Sequence, residues 1–291
     1  MHRAQLLAEI CNRRTGVAVG GTSGKSTVTG MITCILQHAG LAPSAVNGGK
    51  IKNFVSSDSL GNTLVGSSDI LVIESDESDG SIVNYRPAVS VITNITKDHK
   101  PVAELRRLFD TFIQNTTGLT ALNADCPEVC TLERHSKNTV TFSVRGTADV
   151  CAQDIVLEPL ASAFVVDGHT CRLKVPGIHN VSNALAALAA CRYFDIPQKT
   201  AVQAIEQFEG IVRRFDITGR AGGVTVIDDF GHNPDKIRAT LETLAHGNQR
   251  NLLFFQSHGY GPTRFMRGEL VSVFAEHMKE NDILFLPEIY Y

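Results

Sequence analysis

The chain has 291 residues, 43% of them hydrophobic and 20% charged, with a formal net charge of −3. That length leaves room for about two domains with substantial cores. The charge balance excludes a basic field for duplex nucleic acid and a polybasic membrane patch, and no run approaches the ~18 apolar residues of a membrane span. The first segment, MHRAQLLAEICNRR, is amphipathic but lacks the apolar centre of a secretion signal. Seven cysteines are scattered without a CxxC pair, Cys126 and Cys130 in ADCPEVC coming nearest, so reduced thiols are expected rather than zinc or disulfides.

An apolar, β-branched run over residues 15–20 predicts a strand. The glycine turn of VAVGGTSGKST follows, then a helix over residues 25–38 that Gly40 stops. Glycines there let backbone N–H groups face an anion, the helix N-terminus adds its positive dipole end, and Lys25 supplies a mobile cation. Ser26 can place a hydroxyl on magnesium, as the last position of a phosphate-binding loop does. The spacing departs from GxxxxGK[ST] because Val19 stands where the first glycine belongs. A shorter G-T-x-G-K-[ST] loop remains, formed by Gly21, Thr22, Ser23, Gly24, Lys25, Ser26 and Thr27.

The buried-type strand DILVIE, residues 69–74, runs into the acidic cluster ESDESD. Glu74, first out of the strand, is favoured as a magnesium ligand. Asp76, Glu77 and Asp79 read as solvated loop or helix-cap charges. A strand over residues 88–95 then ends in TNITKDH, so three consecutive strand ends carry Lys25 and Ser26, Glu74, and Asn94 with His99. The neutral imidazole of His99 could serve a second divalent ion. In the competing reading it only caps the helix predicted over residues 102–114, a role Asp98 could equally fill.

Further strands are expected at residues 117–122 and 139–144, giving a parallel sheet wrapped on both faces, with ligands at the carboxyl ends of its strands. Residues 149–175 change to short alternating segments with a turn at Asp167-Gly168, an antiparallel patch. Helices follow at 180–194 and 200–208. The helix start GIHNVSNALAALAA places His179, Asn180 and Asn183 together. Asn180 either satisfies backbone N–H groups or reads an adenine edge, since an amide accepts and donates at once.

After a break over residues 210–223 comes a second, small α/β unit: strand 224–228, a helix from Pro234, strand 252–255, a helix near 267–279 and strand 283–286. Within RRFDITG and VIDDFGHNP, Arg214 can neutralise phosphate charge and a strand-terminal Asp228 or Asp229 can bind ribose hydroxyls. The domain boundary is placed between residues 1–212 and 213–291.

In this order GTSGKST, IESDESD, TNITKDH, GIHNVSNALAA, RRFD and DDFGHNP resemble the Mur ligase family, ATP-dependent enzymes that add amino acids or peptides to a cell-wall precursor. The ESDESD box, and the absence after His99 of a lysine motif that carries a carbamate in other branches, resemble the branch of UDP-N-acetylmuramate–L-alanine ligases and the murein-tripeptide-recycling ligases. The resemblance implies an α/β fold: a P-loop central domain with a mostly parallel sheet and a small antiparallel patch, then a truncated Rossmann-like domain that binds the amine. It implies a separate UDP-binding domain outside these residues, so this stretch alone is expected to bind ATP·Mg without ligating.

The implied roles follow the motifs. Lys25 contacts the β- and γ-phosphates, Ser26 and Glu74 hold one magnesium, and His99 holds a second. His179, Asn180 and Asn183 surround the adenosine, Arg214 reaches the phosphates, Asp229 the ribose, and His232 sits beside the amine site. The implied partners are a UDP-linked muramyl substrate and an amino acid or peptide, in the cytoplasm, with neither nucleic acid nor membrane. A folylpolyglutamate- or cyanophycin-type ligase, or an ATP-binding regulator that ligates nothing, are the alternatives. Two positions depart from the branch: Ser23 and Asn233 stand where histidines are usual.

Overall fold

The computed structural model describes residues 3–97, 100–247, 249–257 and 259–289. Helix α1 (Arg3–Asn12) leads into β1 (Thr15–Gly20), α2 (Lys25–His38) and the short strand β2 (Ser44–Val46). A loop with the two-residue strands β3 (Val55–Ser56) and β4 (Ser59–Leu60) is followed by β5 (Thr63–Leu64), β6 (Ile70–Glu74) and β7 (Val89–Ile92). Next come α3 (Val102–Asn115), β8 (Leu119–Asn123), the single turn α4 (Pro127–Cys130), β9 (Thr139–Ser143) and β10 (Val150–Cys151). Strands β11 (Gln153–Glu158), β12 (Ala161–Val166) and β13 (His169–Leu173) form the expected antiparallel patch, before α5 (Ile178–Cys191) and α6 (Gln198–Glu206).

Eight strands make one sheet in the order β10-β9-β8-β7-β1-β6-β2-β5, parallel except where β5 runs against β2. Strand β1 is central, with Val17 opposite Val72 of β6 on one side and Val89 of β7 on the other. Side-chain alternation sends Val17, Val19, Val72, Val89 and Val91 to the face under α2, α5 and α6. Ala18, Leu71, Ile73 and Ile92 go to the face under α1 and α3. A strand covered on both faces reads as a continuous apolar run, which is why VAV and ILVI are legible as strands.

Helix α3 buries Leu105, Phe109, Phe112 and Ile113, a stripe at helical spacing, each contributing about 1.5–3 kcal/mol of apolar burial. Helix α5 is different: apart from its first turn and Ser182 it is buried all round, and its alanines let α2 and the sheet approach closely. The register has a functional consequence. Because β1, β6 and β7 are parallel and paired without slippage, Gly20, Glu74 and Ile92 end along one edge, and the three loops after them converge.

The remaining elements are the hairpin β14 (Asp216–Ala221) and β15 (Val224–Asp228), α7 (Pro234–Ala245), β16 (Leu252–Phe254), α8 (Tyr260–His277) and β17 (Ile283–Phe285). Strands β16 and β17 pair in parallel, and α7 and α8 cover one face through Ile237, Leu241, Met266, Leu270 and Val273. This unit departs from expectation in two places. Residues 224–228 do not join the other two strands but pair antiparallel with 216–221, a stretch whose sequence reads as part of a break. Gly219 and a bulge between Ile217 and Gly219 erase the period-two signal there. Helix α8 starts seven residues earlier than expected, its Gly261 and Pro262 being tolerated because they fall in its first turn. All seven cysteines are free thiols, and burial pushes those of Cys11, Cys34 and Cys171 up to about 12. No helix of the described residues is long and apolar enough to cross a membrane.

Candidate nucleotide site

At the carboxyl edge of β1, β6 and β7 lies a cavity of about 520 Å³. It is lined by Thr22, Ser23, Gly24, Lys25, Ser26, Thr27, Glu74, His179, Asn180, Asn183, Arg214, Asp229 and His232, all singled out in the sequence. Gly21 is not among its lining residues, but its carbonyl accepts from the Lys25 ammonium. His99 and Asp98 lie outside the described residues.

The loop itself is held open by backbone geometry and by its neighbour. Gly24 precedes α2 with φ 85°, and a Cβ there would sit 2.5 Å from Asn183 Oδ1, so only glycine lets the cradle approach α5 this closely. The side chain of Asn94 brackets Ser23: its Oδ1 accepts from Ser23 N at 2.9 Å and its Nδ2 donates to Ser23 O at 3.2 Å. Thr22 donates to the same Oδ1 at 2.6 Å, and Thr93 donates to Ser23 O at 2.6 Å. The β7 loop therefore fixes the cradle's shape before any anion arrives. The Ser23 hydroxyl, where the family resemblance implies a histidine, is buried with no hydrogen-bond partner among the described residues.

Ser26 donates to Glu74 Oε2 at 2.8 Å, and Gly48 N donates to the same oxygen at 2.9 Å. Among the described residues no cluster of three or more His, Cys, Asp or Glu is arranged around a metal. Magnesium does not need one: it keeps several waters and takes one or two hard oxygen ligands plus phosphate. A hydroxyl and a carboxylate within 2.8 Å of each other at the mouth of a phosphate cradle are such a donor pair, so the residues fit the ion.

The acidic cluster divides differently from expectation. Asp76 and Asp79 are exposed and close local turns through Ser78 N and Ser81 N, as expected. Glu77 is not solvated: it is 3% exposed and forms an ion pair with Lys25 at 2.8 Å. Burial pushes its carboxyl up, while the Lys25 charge opposes the shift. Which acid of ESDESD turns inward depends on the turn geometry around Gly80 (φ 75°), and no residue-type pattern announces it.

At the start of α5, Asn180 donates to Pro176 O at 2.7 Å and accepts from Asn183 Nδ2 at 3.2 Å. Both ends of its amide are thus engaged in shaping the helix start. Asn183 keeps Oδ1 against the cradle, and burial pushes His179 down to about 4.

The junction to the second unit is pinned. Ile51 and Ile211 form a bridge, Lys52 pairs with Asp216, and Asp229 Oδ2 accepts from Phe215 N at 2.8 Å. Arg213 and Phe215 hold positive φ of 64° and 46°, conformations that side chains rarely adopt and that these contacts enforce. Burial raises the Asp229 carboxyl, opposed by the Phe215 N–H and the Arg214 charge. Arg214 lies 5.3 Å from the Phe230 ring centroid, and His232 packs edge-on to the same ring. Asn233 caps α7 by accepting from Lys236 N at 2.9 Å, a role an asparagine fills better than most residues. Lys236 also lines the cavity, as do Asp125 and Arg145, none of which stands out in the sequence because no motif surrounds them.

A doubly wound sheet with a glycine loop feeding a helix, and an acid at the adjacent strand end, defines an α/β protein of the P-loop type. The chain belongs to the Mur ligase family. Residues 19–191 match the Mur ligase middle domain, and residues 213–286 match the Mur ligase, glutamate ligase domain. It is 38% identical to a UDP-N-acetylmuramate--L-alanine ligase of Solibacter usitatus, over 99% of this chain and 62% of that protein. The corresponding ligase of Geobacter sp. strain M21 is 37% identical, over 99% and 64%. The crystal structure of a UDP-N-acetylmuramate-alanine ligase from Thermotoga maritima superposes with a TM-score of 0.81 at 27% identity, over 99% of this chain and 64% of that one. A murein peptide ligase from Psychrobacter arcticus, at 21% identity and a TM-score of 0.68 over 98% and 72%, shares the fold. The chain thus spans less than two thirds of the length of these alanine-adding relatives.

Proposed function

We propose that this chain carries the nucleotide-binding part of an ATP-dependent carboxylate–amine ligase joining UDP-N-acetylmuramate to L-alanine in peptidoglycan precursor synthesis, in the cytoplasm. The observation that carries the reading is the convergence on one cavity of Lys25 and Ser26, Glu74, the α5 start and Arg214 from the far side of the junction. Residues 1–212 form the ATP-binding domain and residues 213–291 contribute to the amine side.

Lys25 faces the β- and γ-phosphates, with the N-terminus of α2 behind them. Ser26 and Glu74 would hold one magnesium ion and His99 a second, which when bound would supply charge neutralisation on the phosphates. Arg214, tethered against Phe230, adds a cation from the opposite wall. His179, Asn180 and Asn183 bound the adenosine side and Asp229 the ribose, while His232 stands beside the incoming amine. The substrate carboxylate oxygen attacks the γ-phosphorus and ADP leaves. The amine then attacks the acyl carbon, phosphate departs from the tetrahedral intermediate, and the amine's proton is lost to solvent. Such chemistry needs positioning and charge neutralisation rather than a covalent protein nucleophile, which agrees with a cavity holding no cysteine.

The test is release of phosphate from ATP by the protein as the cell makes it. Release that requires both UDP-N-acetylmuramate and L-alanine supports the proposal. Release only with another acceptor moves the protein to a different ligase specificity, and nucleotide binding with no release under any acceptor makes it a regulator.

A further inference from the structure

Glu77 is a buried charge that the ligation scheme does not use. The Lys25 ammonium has three N–H donors. Gly21 O accepts at 2.7 Å, and the two oxygens of Glu77 accept at 2.8 and 3.1 Å. Lys25 is 14% exposed and Glu77 3%, so the pair sits where solvent screens it little. In this arrangement the cation expected to meet phosphate already has its donors occupied. Drawing Lys25 away would strand a buried carboxylate, which is strongly unfavourable unless another positive charge replaces it. Glu74 and Asp76 line the same cavity and add to the negative field that a polyphosphate meets.

We propose that Glu77 is a phosphate competitor built into the cradle. It holds Lys25 while nucleotide is absent, and releases it only to a polyphosphate that arrives with a divalent cation. The device is shaped by the turn itself. Ser75 N donates to Val19 O at 2.9 Å and Gly80 N to Glu77 O at 3.1 Å, anchoring the segment to β1 and burying Glu77 while Asp76 and Asp79 stay exposed. The ligand class selected is a metal-complexed nucleoside triphosphate, against metal-free polyphosphate and simple phosphate anions. This inference rests on the nucleotide reading above.

The experiment is titration calorimetry of the whole chain with tripolyphosphate and with ATP, each with excess magnesium and with chelator. Glu77→Gln keeps the side chain's size and removes its charge. Its affinity for both metal-free ligands should rise by about tenfold or more, with MgATP affinity changed by less than about threefold. A folded Glu77→Gln with no gain for metal-free ligands, or with equal losses in both conditions, overturns the proposal. Should that variant fail to fold, the unaltered protein decides. A zero-length carbodiimide should join Lys25 to Glu77 in nucleotide-free protein, and saturating MgATP should suppress that cross-link. A cross-link that persists at saturation overturns the proposal. The nucleotide reading fails separately, through MgATP binding that survives removal of Lys25.

Discussion

Replacing Gly24 by alanine probes the join between the cradle and α5. Gly24 has φ 85° and ψ −12°, and an added Cβ would lie 2.5 Å from Asn183 Oδ1 and 3.4 Å from its Cγ. Left-handed backbone costs a non-glycine residue about 1–2 kcal/mol. Moving Asn183 aside breaks its 3.2 Å bond to Asn180, worth about 1 kcal/mol. The sum, about 2–3 kcal/mol, must appear somewhere. If the loop keeps its shape the loss is in folding stability. If the loop relaxes, the loss appears on nucleotide binding, as a fall in MgATP affinity of about 30- to 150-fold. Gly40 is the control: its φ is 77° but nothing lies within 4 Å of its added Cβ, so Gly40→Ala should lose only the backbone share and bind MgATP normally. Urea denaturation and calorimetric titration of both variants give the two quantities. Combined losses no larger for Gly24→Ala than for Gly40→Ala would refute the close approach of cradle and helix.

Two further outcomes are expected. Burial holds the His179 pKa at about 4 against an ordinary 6.5, so the folded state resists a proton that the unfolded chain accepts. Stability from this group is full above pH 6.5 and is lost as pH falls toward 4, by at most about 3 kcal/mol, less because His179 is partly exposed to the cavity. Denaturation of wild type and His179→Gln at pH 7 and 5 should show the gap between them closing at the lower pH; parallel losses contradict the assignment. His99→Ala should lower turnover far more than ATP affinity, because the ion it is proposed to serve acts on the transferring phosphoryl group. Normal turnover in that variant removes His99 from the mechanism.

Much of the architecture is legible in the sequence because its strands are covered on both faces and its helices are amphipathic or alanine-rich. The runs TGVAVG and ILVIE admit few other structures, and the stop at Gly40 closes α2 where expected. Strands β2, β5 and β14 are not legible. The first two are short segments at one end of the sheet, paired only over residues 44–46 and 63–64, too brief for periodicity to register. The candidate site is legible where a backbone requirement leaves a residue signature, as at Gly24 and Lys25. Glu77 and Asn94 escape because their roles follow from which way a turn or an amide points. In ESDESD the buried acid and the exposed ones are chemically alike, and only the tertiary position of Lys25 separates them. Asn233 is the converse case. A departure from the branch's usual histidine is also a helix cap, so local geometry alone gives an asparagine a reason to be there.

The most direct measurement of the central claim is calorimetric titration of MgATP into the wild-type chain and into Lys25→Ala. Because removing Lys25 leaves Glu77 buried without its partner, the double variant Lys25→Ala/Glu77→Gln belongs beside it. The account predicts saturable one-site binding by wild type and no measurable binding by either variant. Equal MgATP affinity in wild type and in the lysine-free proteins would contradict the phosphate cradle.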